Sequence, residues 1–237
     1  MTALSIVQTV CSEIGLPFPT TAVSSTDTQI LQIVALANRE GKTLTARPTY
    51  GWQQLQTQAQ FTTIATEVQG ALSTIAPGLK YIINNTIWDR TLRRPVFGPL
   101  TPQRWQQLKA VNMVGPWAQF RIQGGQIKFL PAPAAGDQCD FEYQSANWCT
   151  DSTGATTRSA FLQDTDLCLL DEDLITLGTI WRWKKSKGLE YGEDFNEYER
   201  QVMDAIGRDG AKDVISMEGG RYEITPGVLV PSGSWPL

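Results

Sequence analysis

The chain has 237 residues, of which 41% are hydrophobic and 19% charged, so it can bury a core and is not disordered as a whole. It contains no histidine, which excludes Ser-His-Asp and Cys-His catalysis and removes the commonest metal ligand. The formal net charge of −4 argues against a general nucleic-acid coat protein, and no apolar run is long enough to predict a membrane span.

The first segment, residues 1–57, is predicted to be helical. Residues 2–15 are amphipathic and lack a basic start, which favours a helix over a signal peptide. Ser25, Thr26 and Asp27 are candidate N-caps of a second helix, and Thr26 with Gln29 fits a capping box. Pro48 can open a further short helix through Trp52 and Leu55. The apolar positions of the second helix are Ile30, Ile33, Val34 and Ala37.

Residues 58–150 are predicted to form a β-rich insertion, because the hydrophobic period changes there from helical to alternating. Gly124-Gly125 predicts a hairpin turn; the alternative, a phosphate-binding loop, lacks the GK[ST] ending and a following helix. A short helix is expected to start at Thr101-Pro102. Strands are predicted at residues 61–68, 81–83, 87–92, 118–123, 126–130 and 137–145. In the last strand an apolar face alternates with a polar face, formed by Asp140, Glu142 and Gln144.

Residues 151–213 return to a helical pattern. One helix is expected to be capped by Asp171 and to end at Gly188, and a second to run from about residue 191 to 210. The carboxylates in and before this region match only a fragment of a calcium loop, so helix capping is the preferred interpretation over metal binding. They are Asp164, Asp166, Asp171, Glu172 and Asp173.

Charge is unevenly distributed along the chain. Residues 80–128 hold eight basic residues and one acid, whereas residues 164–213 hold thirteen acids and seven bases. Basic residues beside tryptophan are candidates for contact with DNA phosphate or an acidic partner; the alternative, which we favour, is a buried tryptophan next to solvated lysines. The candidates for a channel or inter-subunit surface are Arg90, Arg93, Arg94, Lys184, Lys185 and Lys187.

The last segment, residues 214–237, combines Gly and Pro with large apolar side chains that cannot form a core of their own. This favours an extended arm that orders on a partner; the alternative is a tail that folds back over its own domain. The predicted partner-binding residues of the arm are Tyr222, Ile224, Leu229, Val230 and Trp235.

No catalytic, cofactor-binding or metal-binding residue stands out in the sequence. The four cysteines form no CxxC pair, so a zinc site or a redox motif is not expected. Cys139 and Cys149 either pair as a disulfide or, as we prefer, are two separate half-buried strand residues. Carboxylate pairs for glycoside hydrolysis remain possible in principle, although nothing in the sequence selects one.

An ordered set of sequence blocks, extending from about residue 5 to residue 212, resembles the head-to-tail adaptor proteins of short-tailed bacteriophages. No single block is diagnostic, and the order of the set carries the resemblance. The blocks are Ile14-Gly15, Ile87 to Arg90, Arg94-Pro95, Gly98 to Trp105, Phe129 to Pro133, Phe141 to Tyr143, and Leu177-Gly178 through Trp181 to Gly188.

The switch of hydrophobic period from helical to alternating and back predicts an α+β fold, with a helical bundle formed by N- and C-terminal helices, a central β-rich insertion and an extended C-terminal arm. The resemblance implies a non-catalytic virion protein that forms a ring of about twelve subunits between the portal protein and the tail nozzle protein. Such a ring continues the DNA channel at the head-tail junction of the virion and is assembled in the host cytoplasm. Sequence-independent contact with passing double-stranded DNA is then expected, and no cofactor.

A different class of function stays open at this point. Some phage tail components degrade glycans or cell walls, so a tail-associated enzyme is the alternative to an assembly protein. The absence of histidine and of a selectable acid pair argues against this alternative.

Overall fold

The computed structural model describes residues 1–47, 51–111 and 117–209. It contains both helices and antiparallel sheets, which confirms the predicted α+β class. The helices are α1 (Ala3–Glu13), α2 (Thr28–Ala46), α3 (Leu72–Ile75), α4 (Pro102–Val111), α5 (Glu172–Ser186) and α6 (Gly192–Asp209). The predicted arm, residues 214–237, lies outside the described residues, as does Pro48.

The strands are all short except the first and the eighth. They are β1 (Gln56–Thr62), β2 (Val68–Ala71), β3 (Leu79–Ile82), β4 (Trp88–Asp89), β5 (Arg94–Pro95), β6 (Gln119–Gln123), β7 (Gln126–Leu130), β8 (Gln138–Ser145), β9 (Cys149–Thr150), β10 (Thr157–Arg158) and β11 (Leu167–Cys168).

Local capping signals set the ends of the long helices. The Asp171 carboxylate accepts a hydrogen bond from the Asp173 amide at 3.1 Å, and Gly188 follows the last turn of α5 with φ +70°, both as predicted. The capping box predicted for α2 is wrong. Asp27 caps this helix by accepting from the Gln29 amide at 2.8 Å, because it, and not Thr26, occupies the N-cap position.

The helices from the two ends of the chain pack together. Helix α5 contacts α1, α2 and α6, and α1 also contacts α2. Two buried clusters of apolar side chains lie among these helices, and Trp148, which is fully buried, inserts into the larger one from the β-rich part. Gly41 of α2 faces that indole so closely that a Cβ would lie 2.2 Å from Trp148 Cε2, so the helix needs a glycine there.

The β-rich part consists of two antiparallel sheets around a shared core. One sheet has the order β1-β8-β4-β5, with β3 also paired to β8, and the other has the order β2-β7-β6. Phe61 lies edge-on to Phe129 with ring centroids 5.9 Å apart, which joins the first sheet to the second. The predicted hairpin at Gly124-Gly125 is present, and both glycines have positive φ as its turn requires.

Strand β8 departs from the simple alternation of buried and exposed positions that the sequence predicts. Asp140 and Gln144 are buried along with Phe141 and Tyr143. The strand lies inside its sheet, and neighbouring elements bury these two polar positions, whereas Glu142 on the same face stays exposed. The Gln144 amide nitrogen donates to the Trp52 carbonyl at 3.0 Å, so one of these polar positions connects the sheet to the chain that follows α2.

Three local predictions are wrong. The helix expected through Leu55 is a single 3-10 turn at Gln53–Leu55, after which β1 begins because residues from Gln56 onward pair with β8. The strand expected at residues 61–68 is interrupted. The backbone amide and carbonyl of Ile64 form hydrogen bonds with the Gln69 side chain instead of with a neighbouring strand. The strand expected at residues 87–92 is β4 alone, since the chain turns after Asp89 to form β5.

Residues 149–168 contain a third small sheet, with the order β10-β9-β11, in the region predicted as wholly helical. Its role is to hold the N-terminus. The amides of Ala3 and Leu4 donate to the carbonyls of Asp166 and Asp164 at 2.8 and 3.1 Å. These short strands give no periodic signal in the sequence, because they pair over only two residues each.

Candidate functional site

The predicted channel or inter-subunit residues include three arginines, which lie on the hairpin formed by β4 and β5. Arg90 is 61% exposed, and its Nε is 3.2 Å from the buried carboxylate of Asp140. Arg93 and Arg94 are exposed at the turn, and neither makes an ion pair with any residue that the structure describes. Arg93 adopts a left-handed backbone conformation, with φ +56°, in the turn between β4 and β5. The hairpin therefore presents two unneutralised guanidinium groups on the surface.

The three lysines among these predicted residues lie at the C-terminal end of α5, where cations complement the helix dipole. Lys184 binds both carboxylate oxygens of Asp194 at 2.7 Å. Lys185 is exposed and lies 5.8 Å from the Trp181 ring centroid, and Lys187 lies 5.6 Å from that of Trp183. The ammonium groups of these two exposed lysines thus lie within cation–π distance of indole rings, and neither is neutralised by a described carboxylate.

The structure places the two basic groups on different parts of the molecule, the arginines on the five-stranded sheet and the lysines on a long helix. It also adds a cation that the sequence analysis missed. Arg39 of α2 lines a depression of about 340 Å³ together with Lys185 and Ser186. Only the packing of α2 on α5 brings these residues together, so no local pattern could have identified Arg39.

A buried ionic network links the two ends of the chain. Glu40 is fully buried on α2, where its carboxylate accepts hydrogen bonds from Arg182 Nε at 2.5 Å and from the Tyr198 hydroxyl. Burial and the Glu40 carboxylate raise the pKa of Tyr198, so the phenol remains a donor. Arg47 and Glu199 continue the network with a bidentate pair at 2.7 and 3.3 Å. Each charge in the network has a partner, which is typical of buried ion pairs that hold packed helices together.

The predicted carboxylate cluster also has structural partners. Asp166 is fully buried and binds Arg158 at 2.5 Å, while its second oxygen accepts from two backbone amides. Asp164 accepts from the amides of Ala22 and Val23. Asp171 is the cap of α5, and Glu172 lies beside the N-terminal amine. Across residues 1–47, 51–111 and 117–209, no three acidic, cysteine or histidine side chains converge as metal ligands.

The cysteines are free thiols. Cys139 and Cys149 are buried in different apolar clusters, so the disulfide alternative is not found. Burial raises the pKa of both thiols to about 12; nearby carboxylates, Asp89 first among them at Cys139, act in the same direction. A thiol in such surroundings stays protonated and is a poor nucleophile.

A cleft of about 400 Å³ opens on the exposed side of β8. Asp140 and Glu142 project into it two residues apart, on the same side of the strand. Asp140 accepts hydrogen bonds from the Gln58 amide at 3.0 Å and from Arg90, while its Oδ1 has no partner among the described residues. Trp88, half-buried, supplies an aromatic wall. This cleft combines two carboxylates with an aromatic ring.

Comparisons with known proteins do not identify the chain: no protein-family model matches it, and a search of curated proteins finds no match. Among the helices that the structure describes, none has the length and apolar character needed to cross a membrane.

Proposed function

We propose that the chain is a non-catalytic virion protein, a head-to-tail adaptor that forms a ring between the portal and the tail nozzle and continues the DNA channel. In this proposal α1, α2, α5 and α6 form the bundle, residues 58–150 form the insertion, and residues 214–237 form the arm. The ring has about twelve subunits, as the resemblance implies, and occupies the head-tail junction of the virion.

The observation that carries the proposal is that several residues of the resemblance blocks, most of them large and apolar, occupy packing positions. Trp105 is fully buried behind the start of α4, and Phe141 and Tyr143 lie in the core of the β-rich part. Gly178 touches Glu40, and Trp181 packs among the aromatic rings of α6. A set of residues dedicated to packing specifies a scaffold, whereas an enzyme family is characterised by residues at a site of chemistry.

The surface supports an assembly role in a second way. Exposed cations remain on both the β4-β5 hairpin and the end of α5, after internal pairing has neutralised others. In a ring, one such group can face the lumen while the other meets an acidic surface of the neighbouring subunit. Contacts between a lumen and DNA need to be weak and directed at phosphate, because the genome slides through.

The test is the mass of the full-length protein in solution, alone and after mixing with the portal protein of the same phage, followed by electron microscopy of the mixture. We expect a closed ring of about twelve subunits on the portal. A protein that stays monomeric in both samples, at concentrations well above those of assembly reactions, would contradict the proposal. A stable ring with a different subunit number would correct only the stoichiometry.

The cleft beside β8 favours one other candidate, a tail-associated glycan-degrading enzyme. The α-carbons of Asp140 and Glu142 are roughly 6–7 Å apart along the strand, and both side chains line the cleft, as a carboxylate pair for hydrolysis of glycosidic bonds requires. Trp88 could stack on a sugar ring. Against this candidate, Arg90 and Gln58 occupy one oxygen of Asp140.

Zymography on peptidoglycan and on host capsule polysaccharide separates the two candidates. The variants Asp140→Asn and Glu142→Gln keep the shape of the cleft and remove one carboxylate each. The adaptor proposal expects no lysis from the wild type or from either variant. Lysis by the wild type that disappears in both variants would establish the enzyme instead.

A further inference from the structure

A second pocket, of about 220 Å³, lies where the β4-β5 hairpin meets the chain between β7 and β8. Its walls are mainly apolar, with Leu92 at 53% exposure on the rim and Val96 buried inside. Phe97 and Trp117, the chain neighbours of two lining residues, are exposed and stack edge-on with ring centroids 6.0 Å apart. The apolar lining residues are Leu92, Pro95, Val96, Ala118, Pro131, Pro133 and Ala134.

Asp137 in this pocket lacks a partner. It is 91% buried, Oδ2 is inaccessible to solvent, and neither carboxylate oxygen accepts a hydrogen bond or an ion pair from a described residue. Its backbone is fixed, because its amide donates to Thr63 Oγ1 at 3.0 Å and its carbonyl accepts from the Thr63 amide. The side chain therefore stays in the pocket, although a buried carboxylate without donors is unfavourable.

The pocket is acidic overall. Asp89 also lines it, whereas Arg94 at its edge makes no ion pair with either aspartate. Burial raises the pKa of the neighbouring Cys139 thiol, and the negative charges of Asp89 and Asp137 raise it further. An apolar socket with an unpaired carboxylate inside fits a guanidinium or ammonium group carried on an aliphatic stem.

The chain's own C-terminal segment offers such a group. The arm, residues 214–237, contains one basic residue, Arg221, and Tyr222 and Ile224 lie close after it. These apolar side chains match the exposed rim of Leu92 and Phe97.

The two ends of the described body are arranged for a head-to-tail contact. The last described residue, Asp209, binds the Gln53 amide at 2.8 Å, just before β1 begins. Asp137 is held beside Thr63, just after β1 ends. The origin of the C-terminal segment and the pocket thus lie at opposite ends of β1, and a contact that joins unlike ends of two copies is the kind that closes a ring.

We propose that the pocket at Asp137 receives Arg221 from the C-terminal segment of a neighbouring copy of this chain, with Tyr222 and Ile224 on the apolar rim. The inference rests on the proposed ring, and it names the surface that the arm uses. The Arg221 guanidinium donates to the carboxylate of Asp137, which supplies the partner that the described structure lacks.

Disulfide trapping between full-length chains tests this docking. One chain carries Leu92→Cys on the pocket rim and the other carries Tyr222→Cys; the mixture is oxidised with copper phenanthroline and analysed on non-reducing gels. We expect a covalent heterodimer. The matched control pairs Tyr222→Cys with Met203→Cys, whose side chain is 63% exposed on α6, and should give little product.

Two further variants probe the ionic contact from each side. Arg221→Gln and Asp137→Asn should each lower the trapping yield about tenfold, as expected when a hydrogen bond between charged groups is lost. Arg221→Lys should retain most of the yield. Because Arg221→Gln leaves the pocket unchanged, it stays informative if Asp137→Asn fails to fold. Trapping that equals the Met203→Cys control, or that ignores Arg221→Gln, overturns the proposal.

A chain carrying both cysteines distinguishes the source of the segment. An internal disulfide that forms at every dilution, without dimer, overturns docking between copies. The mass of the unmodified protein is read separately. Trapping in a sample that never closes into a ring keeps the docking contact and refutes the ring, whereas a closed ring without trapping refutes the docking contact alone.

Discussion

The substitution Gly178→Ala is expected to weaken the packing of α5 against α2, which connects the two ends of the chain. A Cβ at this position of α5 would lie 2.4 Å from Cγ and Cδ of Glu40 on α2. Atoms cannot approach so closely, so either the helices separate or the Glu40 side chain moves. In either case Glu40 loses optimal hydrogen bonds from Arg182 and Tyr198.

The magnitude follows from three contributions. Overpacking a close helix contact costs about 1–3 kcal/mol, and weakening a buried hydrogen bond to a charged group costs about 1.5–3 kcal/mol. Alanine recovers about 1 kcal/mol over glycine within a helix. The free energy of unfolding of Gly178→Ala should therefore fall by about 1.5–5 kcal/mol, a substantial part of the stability of a typical domain.

Gly207 provides a matched control, because it also lies inside a helix but has no atom within 4 Å of its would-be Cβ. Gly207→Ala should raise the free energy of unfolding by up to about 1 kcal/mol through helix propensity alone. Urea unfolding of the full-length proteins, followed by far-UV circular dichroism, measures both changes. If Gly178→Ala is as stable as the wild type, or if both variants shift equally, the close contact is not what holds α2 on α5.

Three further predictions concern single groups. Cys139 and Cys149 should not react with Ellman's reagent in the folded protein at pH 8. Burial raises the pKa of both thiols from 9.0 to about 12. Their contribution to the free energy of unfolding is therefore complete below pH 9 and is lost as the pH rises from 9 to 12, which alkaline unfolding measures. Asp171→Ala should lower the free energy of unfolding by about 1 kcal/mol in urea titrations, through loss of the α5 cap. Asp166→Asn, which leaves Arg158 without its buried partner, should cost about 3–5 kcal/mol, and a melting temperature within a degree or so of the wild type would contradict this.

The predictable parts of this fold are those that local chemistry determines. Asp171 and Gly188 delimit α5 because capping depends on a few neighbouring residues. The Gly124-Gly125 hairpin forms because few other residue pairs tolerate positive φ at both positions. The strands on either side of that turn follow from alternation, since each presents one face to the core and the other to solvent.

The parts that could not be predicted depend on contacts between distant segments. Glu40 reads as a polar helix residue, and nothing near it in sequence shows that Arg182 and Tyr198 will surround it. Asp140 was assigned to solvent by alternation, whereas its neighbours in the sheet bury it. The pocket at Asp137 had no signal either, because its walls come from two hairpins and a connecting segment.

The charge split along the sequence is largely neutralised in space. In the basic middle, Lys109 and Lys128 share Glu67 at 2.6 and 3.8 Å. In the acidic last third, Asp194 pairs with Lys184. Much of the apparent polarity therefore holds the body together. Three exposed cations remain at the end of α5: Arg39 and Lys185 line one depression, and Lys187 lies beside Trp183.

This patch gives the last prediction, which concerns DNA. With about three phosphate contacts per subunit, the logarithm of the binding constant should fall with the logarithm of salt concentration with a slope of about −2 to −3. Lys185→Ala combined with Lys187→Ala should reduce that slope by about 2, for any DNA sequence, in anisotropy titrations with a short duplex. Lys109→Ala removes a cation that Glu67 already neutralises, so it should leave the slope unchanged. If Lys109→Ala reduces the slope by as much per cation removed as the double variant does, DNA responds to net charge alone, and the proposal that the end of α5 faces the channel is wrong.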